Sequence, residues 1–594
     1  MLRGRQVKLV AALIFLMLAA SVFWLIRTGS QARRELVIAK HHLEMVDVHK
    51  ISREPARIAQ VITVVNGHVQ HANELTHDPI WWIASHVPYL GRTPTAVRTT
   101  MTSLSNVLSA IAKSDDLLST YKRHSGTVVD RNLLKIAGVV LTDVKQPTLS
   151  AMHQLQALNL DGVPNVIADP VVQVRNQFVT AEPYVQQGTT FLKVAPLLLG
   201  LDEPKTWLLV MNNGAEARAT GGIPGGWATL SAKNGHLALT HLETNSAISA
   251  RSLVNWQSLV PQDMQDLYGE DLAHLADMNL SPDYPSNARL MNALYRQHTG
   301  GVVNGVISID EFTLAGLMAV TGSVHVGMRQ LTSGTVVDYV TKGVYADYPN
   351  PKLKDEAVMD ITRRVFSHLS RANVHEVDLA RAFIPSIYRG RLHVWSVKRK
   401  EQALLNTTLL SGSMSNPRNP THMAVMVNAA GNKIDAYVGS AVRYEQGQCR
   451  TDVPYRESMM SVALKNDAPS HGLPAYVTPR NDLGYRDDSK PGSTLSAVFV
   501  HVPLGAEFTT ASVNGKPEDM VQMGTDHDRT VWEFHVDLPA KATKTLRIKF
   551  SEPVDAHDPR PTLGVQPMAI PMKTSIHLGP KCPVWSTDTW ESTP

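Results

Sequence analysis

The sequence predicts a multidomain α+β protein: a transmembrane helix, a helical stalk, a central α/β domain and a terminal β-sandwich. Three observations predict it. Up to about residue 200, apolar residues recur at three- and four-residue steps, the period of an amphipathic helix. Between residues 204 and 421, buried-strand runs alternate with helical segments, as in an α/β layer. From residue 422 onward, short alternating strands are separated by turns of Gly, Pro, Asn and Asp, the pattern of a sandwich.

Length supports the division, since 594 residues exceed what one hydrophobic core ordinarily holds. With 43% hydrophobic and 19% charged residues, the chain lacks the charge excess of a disordered protein. A net charge of +4 over this length, without a basic stripe, leaves no footprint for nucleic acid. The two cysteines, Cys449 and Cys582, are too few for a structural zinc site and lack redox spacing. A single disulfide in an exported protein is their natural use.

Residues 1–30 read as a short tail and a signal anchor. Arg3, Arg5 and Lys8 precede the apolar stretch Leu9 to Ile26, close to the ~20 residues that cross a bilayer. Ala19-Ala20-Ser21 lies inside that stretch, which favours an uncleaved anchor over a cleaved signal. The expected location is the cell membrane, single-pass, with the bulk of the chain extracytoplasmic. Residues 31–203 form the stalk. There Val97, Met101, Leu104, Leu108 and Ile111 share one helix face, and a second helix is expected to break near Pro147. Asp78-Pro79-Ile80-Trp81-Trp82 marks a kinked connection whose tryptophans seal a corner. His68 and His71, without a third ligand, are read as solvated.

Residues 204–421 hold the stretch that organises the rest, Trp207 to Trp227. Trp207-Leu208-Leu209-Val210-Met211 is a buried strand, followed by Asn212, Asn213, Glu216, Arg218, Gly221 and Gly222. A polar, glycine-rich loop at the carboxyl end of a buried strand is where open α/β sheets place ligands. The competing reading is a structural turn in which Glu216 and Arg218 pair. Next, Asn234-Gly235 between two strand-like runs predicts a hairpin. Asn279, Ser281, Pro282 and Asp283 lead into a helix carrying Arg289, and a helix start offers N–H groups to an anion. In residues 422–594, Cys449 and Cys582 are placed to staple the sandwich.

Asn212, Asn213, Glu216, Arg218, Thr220, Gly221 and Gly222 also resemble the signature of the domain of unknown function 4012 family, envelope proteins of high-GC Gram-positive bacteria. The central region more distantly resembles the LytR-CpsA-Psr family, which transfers glycopolymers from polyprenyl diphosphate to cell wall. That resemblance implies a diphosphate site at Arg218, Asn279, Asp283 and Arg289, with magnesium held by Asp283. The chain departs from the layout at Leu242-Glu243-Thr244-Asn245, where that family carries an arginine of its clamp.

The P-loop, the dinucleotide fingerprint, His-Glu-x-x-His and Gly-x-Ser-x-Gly are all absent from the sequence. The expected function is binding or handling of lipid-linked or wall-bound glycopolymer at the envelope. A non-catalytic scaffold and an active phosphotransferase are the alternatives, so the sequence does not decide whether this is an enzyme.

Overall fold

The computed structural model describes residues 2–44, 55–113, 131–248, 251–371, 376–414, 421–486, 490–554 and 560–582. Two compact units result, Met1–Ala195 with His375–Ala380, and Pro196–Val374 with Arg381–Pro594.

The first unit is helical: α1 (Leu2–Glu44), α2 (Pro55–Leu75), α3 (Pro79–Ser85), α4 (Arg92–Ala112), α5 (Arg131–Gln156) and α6 (Asn165–Leu198). The apolar face expected on α4 is a packing face. Met101 joins Ala32 and Ala72, while Leu104 and Leu108 pack on Ala39, Val65 and Val69. Pro147 lies inside α5 without ending it. Asp78 caps α3 by accepting the Trp81 amide at 3.0 Å, and Trp81 is buried as the corner seal while Trp82 stays exposed.

The expected transmembrane helix is corrected here. Among the described residues no helix is long and apolar enough to cross a membrane. The apolar run belongs to α1, which continues unbroken past Arg27, Arg33 and Arg34 to Glu44. Its middle turns contact the segment that opens α3. Trp24 donates through Nε1 to Asp78, and the Trp81 indole donates to Thr28 Oγ1 at 2.8 Å.

The second unit opens on a five-stranded mixed sheet of β1 (Lys205–Asn213), β2 (Ile223–Lys233), β3 (His236–Thr244), β4 (Gly305–Ile309) and β5 (Leu392–Ser396), in the order β3-β2-β1-β4-β5. Strand β1 pairs antiparallel with β2 and parallel with β4. The β2–β3 hairpin turns on Asn234 and Gly235, both at positive φ (49° and 82°), as an Asn-Gly turn requires. Helices α7 (Tyr284–Thr299) and α8 (Glu311–Thr321) flank β4 in the chain. Asp283 caps α7, and Asp310 caps α8.

Two further sheets form the sandwich. One has four strands: β6 (Met423–Asn428), β9 (Thr494–Pro503), β12 (Gln522–Thr525) and β13 (Arg529–Leu538), ordered β12-β13-β9-β6. The other has six: β7 (Val438–Cys449), β8 (Tyr455–Asn466), β10 (Glu507–Val513), β11 (Lys516–Pro517), β14 (Thr543–Pro553) and β15 (Lys573–His577), ordered β11-β10-β14-β8-β7-β15. A disulfide joins Cys449 at the end of β7 to Cys582. Leu208, Val210, Trp227, Tyr284 and Val306 of the α/β part share one core cluster with Val425, Phe499 and Val531 of the sandwich. Each such buried side chain contributes roughly 1.5–3 kcal/mol, so the two parts stabilise one another.

Candidate functional site

The glycine loop after β1 is an interior element. Every residue from Met211 to Gly222 is buried. A register shift between Met211 and Asn212 bends the strand end. Asn212 then donates from Nδ2 to the Thr220 carbonyl (3.0 Å), and Asn213 Oδ1 accepts the Ala215 amide (2.9 Å). Gly221 and Gly222 lie at φ of 107° and 96°. A Cβ on Gly222 would fall 2.2 Å from the Asn213 carbonyl oxygen, so only glycine closes this loop.

Arg218 is committed within the protein. Its Nη2 donates to Glu216 (3.0 Å) and Asp277 (2.8 Å), Nε donates to Asp277 (3.0 Å), and Nη1 donates to the Ala217 carbonyl (2.9 Å). Lys433 sits on the other oxygen of Glu216. Burial penalises the Glu216 charge, yet Lys433 and Arg218 outweigh it and hold the carboxyl below its usual range. The pairing of Glu216 with Arg218, the structural alternative from the sequence, is what the fold contains.

The Asn279 loop does meet the glycine loop. Ala219 donates its amide to the Asn279 carbonyl (3.2 Å), and Asn279 Nδ2 donates to the Gly222 carbonyl (2.8 Å). The two arginines have different partners: Arg289 Nη2 donates to Ser286 Oγ (2.9 Å), while Arg218 holds Asp277 and Glu216. Asp283 has both oxygens occupied. Oδ2 accepts the Ser286 amide (3.0 Å) and hydroxyl (2.7 Å) and pairs with His527 (3.1 Å), and Oδ1 accepts the Met414 amide (2.9 Å). Asp283 is the cap of α7 and an ion-pair partner of His527; among the described residues no group of three or more His, Cys, Asp or Glu is arranged to hold a metal ion. At the departure from the transferase layout, Glu243 accepts the Trp227 indole N–H (3.0 Å) and pairs with His298 (3.1 Å).

Sequence reasoning missed an ionic cluster in which Ser286, His527 and Asp526 stand in the order of a hydrolase triad. Ser286 Oγ lies 3.3 Å from His527 Nε2, and His527 Nδ1 lies 2.5 Å from Asp526 Oδ1. Its charge state opposes nucleophilic chemistry. Burial works against a charged His527, but hydrogen bonds to Asp283 and Asp526 outweigh it and push the pKa up to about 10. The imidazolium cannot accept a proton, and the fully buried Ser286 donates its own to Asp283. No local motif announces this cluster, whose members come from α7 and the turn before β13.

The loop does reach an open space. Ala219 and Thr220 line a cavity of about 260 Å³ together with Pro282, Arg389, His393 and Pro567. Thr220 Oγ1 and His393 Nδ1 are buried without a hydrogen-bond partner among the described residues. Burial lowers the His393 pKa to about 4, so the ring is neutral, and it stacks on Tyr284 with centroids 5.0 Å apart. Arg389 is exposed and has no ion-pair partner among the described residues. The cavity therefore combines apolar walls, unmet polar atoms and one available guanidinium, which suits an anionic or hydroxylated ligand.

No curated protein matches the chain. Among solved structures, an M1 zinc metallopeptidase mutant from Deinococcus radiodurans bound to a Tyr-Ser-Ala substrate aligns at 13% identity with a TM-score of 0.13, covering 23% of this chain and 32% of that one. A two-domain M1 zinc metallopeptidase mutant bound to L-tryptophan aligns at 12% identity and the same TM-score, with the same coverage. These alignments span about a third of the metallopeptidase chains and carry no argument about this fold. The LytR-CpsA-Psr resemblance finds no support in these matches. Residues 202–345, which hold the glycine loop, the Asn279 loop and α7, match the family described as "Protein of unknown function (DUF4012)".

Proposed function

We propose that this protein binds an anionic glycopolymer of the cell envelope outside the cytoplasm and does not transform it. The observation that carries this reading is Arg389, a guanidinium without an ion-pair partner among the described residues, on the wall of the cavity that Ala219 and Thr220 line. A guanidinium there offers a two-pronged donor to phosphate or carboxylate groups. The neighbouring charges point the same way, since Arg218 and His527 are held in internal pairs and supply no nucleophile or base. The Cys449–Cys582 disulfide supports an oxidising compartment.

Titration of the full chain with purified anionic wall polymer, followed by calorimetry, tests the reading. Arg389→Gln is expected to weaken binding by about tenfold, the scale of one lost charge-assisted contact, without moving the melting temperature. A native chain that binds no polymer, or a folded Arg389→Gln variant that binds as well as native, overturns it.

A scaffold role draws on a different observation. Trp82, Tyr89 and Leu90 are exposed around the bend between α3 and α4, an apolar surface of the kind that marks protein contacts. Under that reading, polymer binding is absent, and substituting these three residues by serine releases a protein partner.

A further inference from the structure

The bend between α3 and α4 in the helical unit borders a second polar space, unrelated to the cavity beside the glycine loop. Its construction begins with Asp78 and Pro79. The capping carboxylate and the preset proline φ start α3, which ends one turn later at Ser85. The chain then reverses so tightly that a Cβ on Gly91 would fall 2.5 Å from the Ser85 carbonyl oxygen and 2.8 Å from that of Val87. This reversal lays Ser85 and His86 over Arg98, Thr99 and Thr102 of α4, with His77 from the turn after α2 alongside. The cleft has a volume of about 330 Å³ and opens to the surface.

None of the residues lining this space is acidic. Arg98 donates through Nη1 to Ser85 Oγ at 2.9 Å, and its Nε is buried without a partner. No carboxylate forms an ion pair with it among the described residues. A half-buried guanidinium with an unmet donor is costly unless something negative completes it. His77 is fixed by the Asn73 carbonyl at Nδ1 (2.8 Å) and by Thr102 Oγ1 at Nε2 (2.9 Å). Burial lowers its pKa against the Asn73 hydrogen bond, and the Arg98 charge contributes in the same direction as burial.

We propose that this space is a binding site for a phosphoryl group, with Arg98 as its charged anchor and the surrounding hydroxyls as its cradle. Donors reach it from α3, α4 and the turn after α2, which suits a tetrahedral oxyanion better than the planar fork of a carboxylate. Two sources share that chemistry, a soluble phosphate ester and a phospholipid headgroup.

Titrating the full chain with inorganic phosphate, read by the His77 ring proton resonances and by calorimetry, is the direct test. The native chain is expected to bind saturably, Arg98→Gln to lose at least about tenfold, and Arg98→Lys to fall between them. Arg389→Gln is expected to leave the affinity read at the His77 resonances unchanged, which separates this site from the polymer cavity. Thr99→Val serves as a milder variant should Arg98→Gln fail to fold. Cosedimentation with phosphatidylglycerol vesicles that Arg98→Gln abolishes would assign the headgroup source, and glycerol 3-phosphate binding without cosedimentation would assign the soluble one. A native chain with no phosphate-saturable shift, or a folded Arg98→Gln variant that binds phosphate like native, overturns the proposal.

Discussion

Lys433 holds Glu216 across 217 positions of sequence, and through that contact the sandwich grips the glycine loop of the α/β sheet. Arg218 completes the arrangement from the opposite side, so the carboxylate lies between two cations. Removing either cation leaves two carboxylates, Glu216 and Asp277, with a single cation between them. Arg218→Gln and Lys433→Met are therefore each expected to destabilise the chain by about 3–5 kcal/mol. Chemical denaturation measures this, and anionic-polymer affinity of the folded fraction should stay at the native level. Unchanged stability of both variants would show that the pair carries no structural load.

The pH dependence of stability follows from His527. Its folded pKa of about 10 lies above the ordinary 6.5, because Asp283 and Asp526 favour the imidazolium more than burial opposes it. A raised pKa means the stabilisation is complete below about pH 6.5 and fades as pH rises toward 10. The difference in unfolding free energy between native and His527→Gln should thus be largest near pH 6 and shrink, by on the order of a few kcal/mol, by pH 10. A difference constant across that range would refute the ion-pair assignment.

What was legible in the sequence was what local chemistry specifies. The Asn234-Gly235 hairpin is legible because both turn residues need positive φ, and the strand Tyr455–Asn466 because buried Met460, Val462 and Leu464 alternate with Ser461, Ala463 and Lys465. Glu507–Val513 escaped notice, since Glu-Phe-Thr-Thr-Ala-Ser-Val is mostly polar and half-exposed. The glycine loop was located, but its burial was not. Partners of Arg218 and Glu216 come from Asp277, Asn428 and Lys433, and no periodicity announces such distant contacts. The apolar run Leu9 to Ile26 reads as a membrane span because nothing in its composition shows that Trp24 meets Asp78, 54 positions on.

Glu311 offers the opposite titration to His527 in sign of charge. It is fully enclosed beside Asp310, and burial followed by that neighbour pushes its pKa up to about 8. Its Oε2 accepts the Gly214 amide at 3.3 Å, a bond that a glutamine carbonyl can replace. The carboxyl is protonated in the fold, so its contribution is intact below about pH 4.5 and declines as pH climbs toward 8. Glu311→Gln is expected to be neutral near pH 4 and to stabilise by on the order of 1–3 kcal/mol at pH 8. A variant less stable than native at pH 8 would mean the ionised carboxylate has a partner that this geometry does not provide.

Two glycines separate backbone conformation from enclosure. Gly222 and Gly300 both occupy positive φ, at 96° and 70°. At Gly300, the carboxyl cap of α7, nothing lies within 4 Å of an added Cβ. Alanine there meets only the left-handed backbone penalty, about 1 kcal/mol. At Gly222 the same methyl would sit 2.2 Å from the Asn213 carbonyl oxygen and 2.6 Å from the Gly214 nitrogen. Those atoms belong to the backbone, and Asn279 Nδ2 and the sandwich hold the loop in place around them, so no side chain can swing aside. Gly222→Ala must therefore move the loop itself, which breaks the Asn279 bond and loosens Arg218. The expected loss exceeds about 3 kcal/mol, against about 1 for Gly300→Ala. Paired urea denaturation of the two variants gives the comparison. Equal losses would show that the loop can relax around a methyl group, and that its glycines serve conformation alone.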